Sequence, residues 1–186
     1  MTSLYFAYGS NTSITQMRRR CPRAKPLHRF TMTDCRLVFR GVADVAYEPG
    51  AETIGALYEI TDECERALDQ WEGFNAADPM AGAYRKEYAD LDEEWNGHKR
   101  VLYYIKNSTG IMPPTAAYAN IIKNGYRDHN IPLKQLNDAI RLSWDDKAPG
   151  FGERERHARG GYQELARVGE RKRKPRNNLF TCREDF

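Results

Sequence analysis

A polar turn follows an aromatic segment close to the start of the 186-residue chain. Residues 5–11 read Tyr-Phe-Ala-Tyr-Gly-Ser-Asn, which predicts a strand that ends at Gly9. Glycine adopts backbone angles that other residues avoid, and serine and asparagine favour local hydrogen bonds. The N–H groups of Gly9, Ser10 and Asn11 can therefore converge on one carboxylate or carbonyl oxygen. Taken alone, the turn fits an ordinary corner between a strand and a helix better.

Glu72 is a candidate general base, because it ends a helical pattern beside Trp71. The negative end of a helix dipole and an apolar neighbour both disfavour the charged carboxylate, so both raise its pKa. A glutamate with a raised pKa can accept and return a proton near neutral pH. The alternative is an exposed glutamate at a helix end with no chemical role.

Three more residues are candidates for holding a substrate. Tyr84 and Arg85 begin a strand predicted after Glu72, where the guanidinium can receive a carboxylate. Arg85 fits an ordinary charge on an edge strand equally well. Thr115 follows a proline pair and is expected to cap a helix whose first turn contains Tyr118. The alternative is that Tyr118 is simply a core residue.

The elements that must hold these residues are strands in the front half of the chain and helices after Pro113 and Pro114. The predicted strands are Leu4–Tyr8, Arg36–Arg40, Val42–Tyr47, Ile54–Ile60, Tyr84–Leu91 and Lys99–Lys106, the last with both faces covered. The predicted helices are Ile14–Arg20, a second from its cap at Thr61 to about Trp71, closed by Gly73, and two more around Tyr118 and Leu136. This order predicts an α+β fold, a small mixed, mainly antiparallel β-barrel or curled sheet with flanking helices.

The length suits one domain, which we expect at residues 1–145, followed by a charged, basic and partly disordered extension at residues 146–186. The extension contains the basic run Arg171-Lys172-Arg173-Lys174-Pro175-Arg176, whose default interpretation is a solvated appendage. A contact between this run and nucleic acid or an acidic partner is the alternative. The net charge of +3 is too small to indicate nucleic-acid binding by the whole chain.

The four cysteines are scattered along the chain and form no Cys-x-x-Cys pair. This spacing argues against a zinc site and against a dense disulfide framework, and it favours a reduced, cytoplasmic setting. The four histidines have no ligand spacing, so no metal is expected. The sequence shows no secretory leader and no stretch of about 20 apolar residues, so neither export nor a membrane partner is expected.

The order of these motifs resembles the gamma-glutamylcyclotransferases and their gamma-glutamylamine cyclotransferase relatives over most of the chain. The residues that carry the resemblance are Tyr5-Phe-Ala-Tyr-Gly-Ser-Asn11, Arg20-Cys-Pro22, Gly55-Ala-Leu-Tyr-Glu-Ile60, Leu68-Asp-Gln-Trp-Glu-Gly73 with Tyr84-Arg85, and Pro113-Pro-Thr-Ala-Ala-Tyr118 running into Ile131-Pro132. Several ordered motifs together are far more specific than any one of them. Thr12 stands where the family commonly has an apolar residue, which bears on the identity of the substrate.

The resemblance implies an enzyme that cuts a γ-glutamyl amide by cyclisation, giving 5-oxoproline and a free amine or amino acid. It also implies a small mixed fold built on a β-barrel, a small-molecule substrate, and no metal or organic cofactor. The acid/base residue that it implies is Glu72. The implied substrate-binding residues are Tyr5, Tyr8, Gly9, Ser10, Asn11, Tyr84, Arg85 and Tyr118.

Such a reaction needs no nucleophile from the protein, because the substrate's own α-amine attacks its side-chain carbonyl and one carboxylate can carry the proton. Holding the substrate in a folded conformer supplies an entropic advantage of about 7–11 kcal/mol in well-oriented cases. The alternative function is a non-catalytic binding or regulatory protein on the same fold, with the basic tail contacting nucleic acid or a protein. A carboxylate at Glu72 favours the enzyme, while the leaving amine and the oligomeric state stay open.

Overall fold

The computed structural model describes residues 1–108 and 110–144. Its strands are β1 Thr2–Ala7, β2 Lys25–Phe39, β3 Ala43–Thr61, β4 Tyr84–Trp95 and β5 His98–Lys106. Its helices are α1 Ile14–Arg20, α2 Asp62–Glu72, α3 Ala116–Asp128 and α4 Lys134–Ser143, and a short 3₁₀ helix covers Ser10–Thr12. The expected extension at residues 146–186, with its basic run, lies outside the described residues. The division of the chain near residue 145 therefore stays a prediction.

The five strands form one sheet in the order β2-β3-β1-β5-β4. The pairs β2 with β3, β3 with β1 and β5 with β4 are antiparallel, whereas the central pair of β1 with β5 is parallel. The predicted mixed, mainly antiparallel α+β fold is therefore confirmed.

The sheet is open and does not close into a barrel, because within the described residues β2 and β4 remain its two edges. A closed barrel needs a continuous ladder of hydrogen bonds between all neighbouring strands. The two edges approach each other through side chains instead, since the ring centroids of His28 on β2 and Trp95 on β4 are 6.1 Å apart. Of the two predicted forms, the curled sheet is the one adopted.

Strands β2 and β3 extend furthest beyond their predicted bounds. The first half of β2, residues 25–34, pairs with β3 although its polar sequence lacks an apolar alternation. Strand β3 runs unbroken from Ala43 to Thr61 through Pro49 and Gly50, where two strands were predicted. Strand β3 pairs with the first half of β2, so there the tertiary context replaces a local strand signal, whereas the register shifts between Tyr47 and Glu52 of β3.

Alternate residues of the central strands belong to two separately packed faces. Leu4 and Phe6 of β1 lie in one hydrophobic cluster, to which α3 and α4 contribute Ile122, Tyr126, Leu136 and Ala139. Tyr5 and Ala7 lie in a second cluster, to which α1 and α2 contribute Met17, Cys64 and Leu68. Strand β5 divides in the same way, so both of its faces are covered as predicted. Helices α1 and α2 thus pack on the face that carries Tyr5.

The ends of the helices are set by local side-chain and backbone hydrogen bonds. Ser13, Thr61 and Thr115 each accept a hydrogen bond from the backbone N–H three residues further on, which begins α1, α2 and α3. Helix α2 ends at Glu72 because Gly73 adopts a left-handed conformation with φ 63°. The predicted caps at Thr61 and Thr115 and the stop at Gly73 are confirmed, and α1 has its predicted bounds.

Three of the cysteines, Cys21, Cys35 and Cys64, are buried free thiols, and Cys182 lies outside the described residues. In residues 1–108 and 110–144, no helix has both the length and the apolar character required to cross a membrane. Over the same residues, no group of three His, Cys, Asp or Glu side chains is arranged to hold a metal ion.

Candidate active site

A cavity of about 370 Å³ lies where the end of β1 meets the C-terminal ends of α1 and α2 and the start of α3. All the predicted site residues except Arg85 line it, namely Tyr5, Tyr8, Gly9, Ser10, Asn11, Glu72, Tyr84 and Tyr118. The lining is completed by Arg20, Val42, Ala43, Trp71, Tyr104 and Lys106. The fold therefore gathers residues from both halves of the described chain into one polar pocket.

Asn11 joins the turn after β1 to the end of α2. Its side-chain nitrogen Nδ2 donates to Tyr5 Oη at 2.8 Å and to Glu72 Oε1 at 3.3 Å. Its Oδ1 accepts a hydrogen bond from Arg20 Nη1 at 2.8 Å. Both N–H bonds and the carbonyl oxygen of the amide are thus engaged, which fixes which way the amide faces.

Glu72 lies in this network with only 16 % of its side chain exposed. Burial raises the pKa of its carboxyl above the ordinary value of 4.5, while the Arg20 guanidinium and the Asn11 hydrogen bond act in the opposite direction. Arg20 Nη1 is 3.7 Å from Glu72 Oε1, and the guanidinium stacks 4.8 Å from the centre of the Trp71 ring. The raised pKa was predicted, but burial inside the cavity is its leading cause and the predicted neighbour Trp71 is 63 % exposed.

Tyr118 brings its hydroxyl against the turn that follows β1. The hydroxyl oxygen accepts a hydrogen bond from the backbone N–H of Ala43 at 3.2 Å. Burial raises the pKa of Tyr118, and hydrogen bonds with Ala43 and Ser10 oppose that rise. Tyr118 is therefore a half-buried polar wall of the cavity, although it also packs against the core.

Gly9 lies outside the α and β regions of the backbone, at φ −102° and ψ −140°, and it is also required for space. A Cβ at this position would lie 3.1 Å from Ala43 Cβ and 3.3 Å from the Tyr118 hydroxyl oxygen. The absence of a side chain lets α3 and the start of β3 approach the turn closely.

The backbone N–H groups of Ser10 and Asn11 belong to the first turn of the 3₁₀ helix. That turn is closed by hydrogen bonds from Thr12 N to Gly9 O at 3.0 Å and from Ser13 N to Ser10 O at 3.1 Å. The first N–H groups of a helix have no acceptor within it. Because Ser10 and Asn11 both line the cavity, this end of the helix faces a space where a substrate oxygen can be placed.

The structure does not bring Arg85 into the cavity. Tyr84 lines the cavity, and neighbouring residues of a strand point to opposite faces of the sheet. Arg85 instead donates to Glu87 Oε1 at 2.7 Å and to Asn107 Oδ1 at 3.3 Å. The cations that line the cavity are Arg20 and Lys106.

The family model described as "Gamma-glutamyl cyclotransferase, AIG2-like" matches residues 5–126, which is more than half of the chain. The chain belongs to this family. The matched range begins at Tyr5 and contains Glu72, Tyr84 and Tyr118, so it includes the whole lining of the cavity.

One human relative and two solved structures are also similar to this chain. The human protein named gamma-glutamylcyclotransferase is 24% identical over 143 residues, which cover 70% of this chain and 73% of that protein. A solved structure named gamma-glutamyl cyclotransferase has a TM-score of 0.62 and 22% identity, and the match covers 75% of this chain and 86% of that one. A crystal structure of a human protein matches with a TM-score of 0.61 and 23% identity, over 74% of this chain and 86% of that one. At this identity, the solved structures establish the shared fold.

Several residues that line the cavity of this gamma-glutamyl cyclotransferase family member were not predicted from the sequence, among them Arg20, Tyr104 and Lys106. Arg20 lies in a quoted motif and ends a predicted helix, but nothing in the sequence showed that α1 points back towards Asn11. Period-two alternation places Tyr104 and Lys106 on the same face of β5. Only the pairing of Tyr84 with Lys106 shows that this face meets the cavity.

A buried ion pair supports the cavity of this family member from behind. Arg40 Nε is 2.7 Å from Asp44 Oδ2, with 4% and 0% of the two side chains exposed. Asp44 Oδ1 also accepts the backbone N–H of Lys106 at 3.1 Å and lies 3.4 Å from the hydroxyl of Tyr8. The Tyr8 hydroxyl in turn donates to the carbonyl oxygen of Tyr104. Asp44 therefore ties the start of β3 to the end of β5 and to the cavity wall.

Proposed function

We propose that the chain cleaves γ-glutamyl amides by cyclisation, releasing 5-oxoproline and a free amine or amino acid. Glu72 is the general acid and base of this proposal. The single observation that carries it is the buried Glu72 carboxylate, hydrogen-bonded to Asn11 in the cavity that the Tyr5–Asn11 segment lines. Family membership and the fold support the reaction class.

The reaction begins with removal of a proton from the substrate's α-ammonium group. Burial raises the pKa of Glu72 and makes its carboxylate a better proton acceptor, while the nearby Arg20 charge opposes that rise. The neutral α-amine then attacks the carbon of its own γ-carbonyl. Because nucleophile and electrophile belong to one molecule, the cavity has to hold a folded conformer and does not have to supply a nucleophile. Ser10 accordingly binds and does not attack.

The attack forms a five-membered ring and places a negative charge on the former carbonyl oxygen. The N–H groups of Ser10 and Asn11 and the Tyr118 hydroxyl are the proposed binding groups for substrate oxygens, since all three residues line the cavity. Glu72 returns its proton to the leaving nitrogen, the C–N bond breaks, and the oxyanion collapses to the lactam carbonyl. The ring nitrogen gives up its second proton to Glu72, which passes it to the released amine; the amine leaves as an ammonium group, and the carboxylate is regenerated.

The direct test is to incubate the purified chain with γ-glutamyl amino acids and γ-glutamyl amines and to measure 5-oxoproline by mass spectrometry. We expect turnover by the wild type and a loss of about 10²–10⁴-fold in the Glu72→Gln variant, because the proton carrier is removed. Glu63→Gln is the matched control, since Glu63 lies on the same helix but is exposed and paired with Arg23.

Circular dichroism shows whether each variant is folded. If a folded wild-type protein forms no 5-oxoproline from any compound in the panel, the proposed activity is wrong. If folded Glu72→Gln turns over at the wild-type rate, the activity stands but the role of Glu72 is wrong.

A further inference from the structure

Lys106 is a cation on the cavity wall for which the proposed chemistry so far has no use. It is half-buried at the end of β5, on the same strand face as Tyr104, and it lines the cavity with Glu72 and Arg20. Its ammonium donates to Ser108 Oγ at 3.0 Å and lies 6.0 Å from the centre of the Tyr84 ring. Within the described residues, no carboxylate lies within ion-pair distance of Lys106 Nζ.

The other charges of the cavity are already paired with each other. Arg20 contacts both Asn11 and Glu72. Burial raises the pKa of Glu72, and Arg20 and Asn11 oppose that rise. The lining residues include one carboxylate, Glu72, and two cations, Arg20 and Lys106. Lys106 therefore leaves one positive charge in the cavity without a counter-charge from the described protein.

A neighbouring lysine shows how different this arrangement is. Lys86 on β4 is 2.7 Å from Glu65 and 2.9 Å from Asp69, so its charge is compensated twice by α2. Lys106 is within hydrogen-bond distance only of a neutral serine hydroxyl among the described side chains. An ammonium in such a position favours an anionic group of a ligand.

The position of Lys106 indicates which part of a substrate it meets. The residues proposed to hold the glutamyl group, including Tyr5, Tyr8 and Asn11, are buried. The contact between Lys106 and Ser108 is exposed to solvent, so the ammonium lies on the solvent side of these buried residues. A substrate whose glutamyl group is held among the buried residues has this solvent side left for its leaving amine.

We propose that Lys106 is a specificity-determining residue that selects γ-glutamyl substrates whose leaving amine carries a carboxylate. The inference rests on the proposed function. The Lys106 ammonium binds that carboxylate, orients the leaving nitrogen towards Glu72, and releases the amino acid once the C–N bond has broken. A simple γ-glutamyl amine has no group for this contact and is turned over less efficiently.

Two substrates that differ by one carboxylate test this inference, γ-glutamyl-L-alanine and γ-glutamylethylamine. The values of kcat/KM for both are measured with the wild type, Lys106→Met and Lys106→Arg. We expect wild type to prefer γ-glutamylalanine and Lys106→Met to lose at least about tenfold of that preference, as expected for removal of one charge-assisted hydrogen bond. Lys106→Arg keeps the charge and should keep most of the preference. Lys99→Met on the same strand is the control, because Lys99 is 84% exposed and lies outside the cavity.

An unchanged ratio in Lys106→Met overturns the inference and leaves the proposed function intact. An equal loss on both substrates also overturns it, since Lys106 would then bind the glutamyl half. Formation of no 5-oxoproline from either substrate by folded wild type overturns the proposed function, and this inference with it.

Discussion

Asn11 Nδ2 lies 3.3 Å from Glu72 Oε1, although 61 residues separate the two in the chain. The same amide accepts a hydrogen bond from Arg20, so its orientation does not depend on Glu72 alone. The turn after β1 and the end of α2 therefore form one hydrogen-bonded unit. A carboxylate held in this way has a defined position and an adjustable pKa, the two properties that proton transfer requires.

Removing the Arg20 charge should move the pH dependence of activity. Arg20 lowers the pKa of Glu72, so Arg20→Met raises it and the acidic limb of the kcat/KM profile moves to higher pH. Arg20→Lys, which keeps the charge, should move it less. The profile is measured by 5-oxoproline formation across the acidic and neutral range.

Arg23→Met is the control for this shift, because Arg23 is 73% exposed and pairs with Glu63 outside the cavity. If Arg20 had a purely structural role, Arg20→Met would lower kcat/KM at every pH and the acidic limb of the profile would stay at the same pH. That result would contradict the electrostatic role.

Glu72 should reduce the stability of the folded chain as it ionises. Its pKa is raised above 4.5 by burial, so the folded state binds the proton more tightly than the unfolded state. The stability that this group contributes is fully present below pH 4.5 and is lost as the pH rises through the folded pKa. The free energy of unfolding of wild type relative to Glu72→Gln should therefore fall over this range and then level off.

Urea unfolding of both proteins between about pH 4 and about pH 8 measures this difference, because titrations common to the two cancel. A difference that rises with pH would mean that the Arg20 charge outweighs burial. It would reverse the sign of the pKa shift assigned to Glu72.

A methyl group at Gly9 should impair the site more than the fold. Its Cβ would lie 3.1 Å from Ala43 Cβ and 3.3 Å from the Tyr118 hydroxyl oxygen, so the turn or Tyr118 has to move. We expect Gly9→Ala to lower kcat/KM by at least about tenfold, since displacement of a positioned group by about 1 Å can cost a hundredfold. The stability cost of such overpacking is about 1–3 kcal/mol.

The double variant Gly9→Ala with Ala43→Gly removes the closest contact and should recover part of the lost activity. Steady-state kinetics and urea unfolding are measured on the same preparations. Wild-type kinetics in folded Gly9→Ala would show that the close approach at Gly9 has no role in the site.

Asp44 should be far more important for stability than an exposed partner of an ion pair. Asp44→Ala leaves the buried charge of Arg40 without this partner, and breaking a buried pair costs about 3–5 kcal/mol. Glu63→Ala breaks an exposed pair with Arg23, which is worth about 0–1 kcal/mol. Urea unfolding of the two variants gives the comparison. Similar losses in both would contradict a structural role for the buried pair.

Much of the candidate site was predicted from motifs taken in their order along the chain. The Tyr5–Asn11 segment, Glu72, Tyr84 and Tyr118 were all predicted, and all line one cavity. The start and end of α2 were also readable, since a threonine cap and a left-handed glycine act within one helical turn. The helix ends depend on neighbours in the chain, so their signal is present in any short window.

The errors have a common origin in long-range contacts. Arg85 was grouped with Tyr84, but neighbouring strand residues point to opposite faces, and only the assembled sheet shows which face borders the cavity. The polar first half of β2 was missed because its partner strand, and not its composition, makes it a strand. The choice between a barrel and an open sheet likewise depends on whether the edge strands β2 and β4 pair.

The sequence by itself determined the fold class and most of the helix ends and supplied Glu72 as the candidate base, because these follow from local periodicity, capping and an ordered set of motifs. Tertiary structure alone decided that Glu72 is buried against Asn11, that Arg20 tunes its pKa, and that Lys106 enters the cavity while Arg85 does not. Burial and charge proximity are properties of positions in space. Asn11 and Glu72, 61 residues apart in the chain, come into contact only when α1 and α2 pack on the face of the sheet that carries Tyr5.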